Sequence, residues 1–165
     1  MLVAAFAFAF CAGSAIAAGS DTAFATKLFA PIASGLQNSA VPVLLPGSLP
    51  AADLEGLRAE LRSANGNGYA IDLDYAADCN GATACYLGQI TGKPSNGSKL
   101  SGTPVALSNG TTGYFVLGPC GASCSDSTIT FDSNGSRYVF AEKGATLDSL
   151  KKWTVSIAPL SHFVK

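Results

Sequence analysis

Two Asn-Gly dipeptides, Asn109-Gly110 and Asn134-Gly135, each separate a pair of apolar or β-branched runs within the stretch from Val105 to Phe140. Asn and Gly tolerate the positive φ that tight hairpin turns demand, so each dipeptide predicts a β-hairpin. Between the hairpins lies Cys120-Gly-Ala-Ser-Cys124, with its cysteines close enough in sequence to clamp the connection. A chain that forms two hairpins back to back is building an antiparallel sheet. The remainder has to extend that sheet or cover one of its faces.

Extension is read upstream. Leu57 to Ser63 and Tyr69 to Tyr75 both alternate strictly, and Asn65-Gly-Asn-Gly68 separates them. Leu54, Leu57 and Leu61 also fit a helix, but the double alternation favours a hairpin. Arg58, Glu60 and Arg62 then share the outer, solvent-facing side with Asp72 and Asp74, where opposite charges can pair across strands. Tyr86 to Thr91 is a further strand, and Gly92 to Gly102 reads as a mobile loop.

Cover is read at the ends. Ser20-Asp21-Thr22 is placed to cap a helix with Phe24, Leu28, Ile32 and Leu36 along one stripe, which Pro31 ends or kinks. Val41 to Pro50 carries three prolines and is expected to run extended, with Val43, Leu44, Leu45 and Leu49 laid on the core. Thr146 caps a final helix whose inward stripe is Leu147, Leu150, Trp153, Thr154 and Ile157, with Pro159 as its stop. Strands gathered centrally with helices at the ends give an α+β class: an antiparallel sheet of five to seven strands, one helix at each terminus, the last packed on one face.

The first residues are of a different kind. Leu2 to Phe10 is continuously apolar and Ala15-Ile16-Ala17 has the small-x-small pattern of a signal-peptidase site. Residues 1–18 are therefore read as a cleavable secretory signal, with a retained anchor as the alternative, and 19–165 as one domain. Past the signal the cysteines are Cys79, Cys85, Cys120 and Cys124, an even set that predicts two disulfides in an oxidising compartment. Local pairing is favoured because each pair brackets a Gly-containing loop. Loops that short contribute only about 2 kcal/mol each. Ten basic and eleven acidic side chains give a formal net charge of −1 without a basic cluster, which argues against nucleic acid or an anionic membrane surface as partner.

The motif V-x-L-x-x-G-x-x-G-Y-[FY], followed by T-I-x-[WF]-x-x-x-G-x-x-Y, is carried by Val105, Leu107, Gly110, Gly113, Tyr114, Phe115, Thr128, Ile129, Phe131, Gly135 and Tyr138. With Pro-Val-Leu-Leu-Pro and Cys-Asn-Gly-Ala-Thr-Ala-Cys, it resembles a group of uncharacterised secreted bacterial proteins over most of the mature chain. More distantly, Val105 to Ile157 is similar to the small sheet-plus-helix domain of anti-sigma-factor-associated and lipoprotein-carrier-like envelope proteins. That likeness implies a bacterial envelope setting and brings no catalytic motif.

The chemistry-bearing residues are sparse. His162 is the single histidine and lies in an apolar tail, so no nucleophile-base pair is read and no catalytic residue is named. Asp72, Asp74, Asp78 and Asn80 depart from calcium-loop spacing, and Cys-x5-Cys with Cys-x3-Cys departs from zinc spacing, so neither metal nor cofactor is expected. Tyr86, Tyr114 and Tyr138 are the candidates for a ligand-facing surface, since tyrosine offers apolar area with a polar tip. The expectation is a secreted or periplasmic, non-catalytic binding domain that contacts an envelope protein, with no membrane span after signal cleavage. The alternative is a carrier that holds an apolar small molecule or lipid between sheet and helix.

Overall fold

The computed structural model describes residues 18–49, 54–79, 84–108 and 110–164. The expected signal lies outside these residues as far as Ala17. Seven antiparallel strands form the main sheet: β2 (Arg58–Asn65), β3 (Gly68–Asp74), β4 (Tyr86–Pro94), β5 (Thr103–Ala106), β6 (Thr112–Val116), β7 (Asp126–Ser133) and β8 (Ser136–Lys143). Their spatial order is β2-β3-β4-β8-β7-β6-β5. Two meanders, β2 to β4 and β5 to β8, therefore meet where β4 pairs with β8. A second sheet joins β1 (Leu44–Pro46) to β9 (Ile157–Pro159). The fold is α+β and mainly antiparallel, as expected.

Local chemistry accounts for the hairpins. Asn134 and Gly135 both have positive φ, 49° and 74°, which suits the two-residue turn between β7 and β8. Leu57 to Tyr75 contains a hairpin, with Asn65 opposite Gly68 and Glu60 opposite Asp72. Gly92 to Pro94 belongs to β4, and the loop beyond it is tied down. Arg137 donates to the Ser98 hydroxyl at 2.6 Å and also pairs with Asp132, while the Ser95 hydroxyl donates to Asp132.

One sheet face is apolar and carries the core. Ile71, Ile90, Phe140, Ile129 and Phe115 form one row across five paired strands. The neighbouring row is Tyr69, Gly92, Tyr138 and Phe131, in which a Cβ at Gly92 would collide with the Tyr69 ring. Phe131 stacks on Tyr138 at 5.2 Å and meets Phe140 edge-on at 5.6 Å. The prolines of the extended segment explain its attachment here. With fewer backbone N–H groups to satisfy, it offers carbonyls: Tyr138 donates to Pro42 O at 2.9 Å and Tyr69 to Leu44 O at 2.7 Å.

The ends of the chain share this core but differ from expectation in two places. Helix α1 (Ala18–Phe29) is already running through Ser20 to Thr22, so these residues do not cap it. Ala18 before them is a strong helix former and already lies in the helix. Pro31 sits in a 3-10 turn, Ala30–Ile32, that separates α1 from α2 (Ala33–Leu36), as a missing N–H donor requires. At the other end Thr146 does cap α3, accepting from Ser149 N, but α3 spans only Leu147–Lys151. It stops because Thr154 and Val155 are β-branched, and the Thr154 hydroxyl donates to the Lys151 carbonyl instead of continuing the helix. Ile157 belongs to β9, opposite Pro46. Leu150 and Trp153 are buried in the core cluster with Phe29, Leu45 and Phe140.

Candidate functional site

The strands run so that both cysteine loops leave the same end of the main sheet. Cys79 bonds Cys85 between β3 and β4, and Cys120 bonds Cys124 between β6 and β7. Both local pairs form as expected. Tyr86, next to Cys85, donates its hydroxyl to Asp126 Oδ2 at 2.8 Å. Asp126 follows Cys124 by two residues, so one hydrogen bond couples the two loops. Burial, the bond to Asp126 and the nearby carboxylates all push the Tyr86 hydroxyl above its usual pKa, which keeps it a donor. The opposite end of the sheet is closed by the turns at Asn65–Gly68 and Asn134-Gly135 and has no disulfide among the described residues.

Beside these loops the polar face carries an acidic pocket. The register between β2 and β3 skips Arg62, and such an extra residue re-aims its side chain. Arg62 Nε donates to Asp72 Oδ2 at 2.5 Å, Arg62 also stands 3.4 Å from Glu60, and Gln89 Nε2 donates to Asp72 Oδ1 at 2.8 Å. Asp72 is thereby fully engaged. Asp74 is not: it is only 1 % exposed, and neither carboxylate oxygen has a hydrogen-bond partner. Its carboxyl is held above the usual range by burial and then by the charges of Asp72 and Glu60, with Arg62 opposing them. It lines a concavity of about 180 Å³ with Arg58, Ala59, Glu60, Ala76 and Ala77.

The sequence placed Asp72 and Asp74 on a solvent-facing side. The alternation is right but the exposure is wrong, because the Arg62 bulge, Gln89 and the turn after Asp74 cover them. No family model, curated protein or solved structure matches this chain.

The three tyrosines do not converge. Tyr138 faces the core and is 1 % exposed, while Tyr86 and Tyr114 are half-buried and lie three strand spacings apart, on β4 and β6. His162 is exposed and meets only the edge of Phe163 among ring contacts, at 5.1 Å. Among the described residues no group of three or more His, Cys, Asp or Glu is placed to hold a metal ion, and Asn80 lies outside them. A separate groove of about 1080 Å³ runs between the outer side of α1 and the tail, past Thr26, Gln37 and Phe163. No sequence signal marked either concavity.

Both disulfides fit an oxidising compartment. Among the described residues no helix is long and apolar enough to cross a membrane.

Proposed function

We propose that this is a secreted or periplasmic, non-catalytic binding domain that contacts an envelope protein through the disulfide-framed end of its sheet. The observation that carries the reading is where the exposed apolar side chains fall. Of the five exposed large apolar side chains among the described residues, Tyr75, Val116 and Leu117, exposed by 42, 48 and 67 %, lie at that end beside the two clamped loops, while Val155 and Val164 lie singly after α3 and in the tail. Apolar anchors on loops that are already ordered lose little freedom on binding, which is how preorganised interfaces gain affinity. Tyr75 and Val116 are four strand spacings apart, about 19 Å, a span suited to a macromolecular partner.

A carrier needs space between sheet and helices. Leu45, Phe131, Tyr138, Phe140, Leu150 and Trp153, each at 2 % exposure or less, fill that layer, which favours the interaction module. Photoreactive residues at Tyr75 and Leu117, with the exposed Asn67 at the opposite end as control, test the reading in the protein's own host. A discrete protein adduct from the first two positions alone is the expected result. Equal labelling at all three, or no adduct together with a co-purifying apolar molecule in native mass spectra, overturns it.

A further inference from the structure

Asp74 presents a problem of unmet acceptors. Ionised, its two oxygens lie out of water with no donor facing them, and each such group costs a desolvation penalty. Protonated, the carboxyl has a hydroxyl that is unmet as well. The cation nearest in the sheet register is Arg58, directly opposite Asp74 on β2, yet it forms no ion pair with it. Arg62 is committed to Asp72 and Glu60. The missing partner is thus a donor of positive charge from outside the pocket.

We infer that the pocket of Asp74, Glu60, Ala76 and Ala77 is a binding site for an alkylammonium or guanidinium group. An ammonium brings three N–H donors, and a guanidinium brings a fork that matches both carboxylate oxygens. The pocket's 180 Å³ is the share of about six water molecules, room for the cationic head and a few methylenes. Ala59, Ala76 and Ala77 supply the apolar wall such a stem needs. Glu60 adds a second negative charge at the mouth, whereas among the described residues no third acid is placed to complete a metal site. The Cys79–Cys85 bond fixes the far end of the turn that carries Ala76 and Ala77. The inference deepens the interaction reading but rests on it only for the source of the cation, a lysine or arginine of a partner rather than a free amine.

The charged and titratable groups around the pocket set its pH dependence: Arg58, Glu60 and Arg62 on β2, Asp72 on β3, Tyr86 on β4 and Asp126 on β7. The Asp74 carboxyl takes up a proton at a higher pH than an ordinary aspartate, so affinity falls as the pH drops through that raised pKa.

The experiment titrates the oxidised mature chain with n-butylammonium, methylguanidinium and neutral n-butanol. It follows the Asp74 carboxylate carbon and the Ala76 and Ala77 amides by NMR. Saturable shifts with both cations, and none with butanol, are expected. Asp74→Asn weakens binding about 10- to 100-fold, as loss of a charged hydrogen bond does. Glu60→Gln weakens it to a smaller extent and serves if Asp74→Asn does not fold. Arg58→Ala tightens it by removing a like charge from the mouth. A blocked Ala-Lys-Ala peptide separates the sources: equal or tighter binding assigns the cation to a protein side chain, and its exclusion while butylammonium binds assigns it to a free amine. Either result supports the site. Binding that survives Asp74→Asn, equals that of butanol, or appears only after Arg58→Ala overturns it; in the last case Arg58 is the internal partner. A failed titration with an intact cross-linked partner would remove this site alone and leave the interaction module standing.

Discussion

Trp153→Ala tests the packing argument most directly, because Trp153 is the protein's single tryptophan and is 2 % exposed. Truncating a buried tryptophan costs about 3–5 kcal/mol, against about 5–15 kcal/mol of total stability for a typical domain. For a chain of this size each kcal/mol shifts Tm by about 2–4 °C, so the expected fall is about 6–20 °C. The structure places the change toward the upper part of that range. Helix α3 is a five-residue element and has no stability of its own without tertiary contacts. Trp153 also follows it directly, with Thr154 O accepting from Ser108 N at 3.4 Å and Ile157 N donating to the Ser108 hydroxyl at 3.1 Å. Loosening the indole therefore loosens the entry to β9 as well. Thermal melting followed by circular dichroism measures the loss, and the fluorescence of the wild type reports this one site without interference. Blue-shifted emission protected from iodide is expected, with Lys151 and Lys152 forming the wet side of the same turn. Red-shifted, freely quenched emission together with a Tm change below about 2 °C, less than even 1 kcal/mol, refutes the reasoning.

Three further outcomes are expected. Tyr69→Phe removes the hydroxyl that both donates to Leu44 O and accepts from Leu44 N, so it should cost about 1–3 kcal/mol in denaturant melts and raise amide exchange first in β1. Glu142 is held above the usual carboxylate range by burial, partly offset by Lys152, and its Oε2 has no partner. Its folded-state pKa lies above the unfolded one, so it costs stability progressively as pH rises from the unfolded value through the folded one; Glu142→Gln should stabilise at pH 8 more than at pH 4, and the reverse order would contradict the assignment. Reduction of both disulfides should leave the sheet folded, with faster amide exchange confined to residues 75–79, 84–85 and 117–125; global unfolding on reduction would count against a purely local role.

Hairpins were legible because their signal is local: Asn134-Gly135 sits in the turn that its chemistry demands, and the Leu57 to Tyr75 alternation resolved correctly into strands. The meeting of β4 with β8 was not legible, since nothing in either strand's composition names its neighbour. The same holds for β1 with β9, whose partners Leu44 and Pro159 lie near opposite ends of the chain. Leu150, Trp153 and Ile157 keep a helical spacing, and that spacing concealed a chain which leaves the helix after Lys151. Pro159 reads as a helix stop, yet a proline is equally at home on the edge of a two-stranded sheet. At the site, alternation put Asp72 and Asp74 on the correct face. Their burial depends on a bulge at Arg62, on Gln89 of the next strand and on the turn that directly follows Asp74, and none of these leaves a mark in a period-two pattern. Tyr138 carries the same apolar-with-polar-tip character as a ligand tyrosine, and it spends that tip on Pro42 O.

The location of the disulfides has a physical meaning that their energies make plain. A bond closing so short a loop contributes about 2 kcal/mol, and the buried rows centred on Ile90, Phe140 and Ile129 hold the sheet with or without it. At the opposite end the chain turns with Asn, Gly and hydrogen bonds alone, so clamps are not a requirement of this topology. What the disulfide-framed end has in addition is three of the five exposed large apolar side chains among the described residues, an unmet buried carboxylate and loops longer than a tight turn. Free loops of that kind would lose conformational entropy each time a partner ordered them. Closing them covalently, and joining them through Tyr86 and Asp126, removes most of that cost before binding begins. If the domain binds as proposed, the clamps act on binding more than on folding, and that argument favours this end of the sheet as the proposed surface.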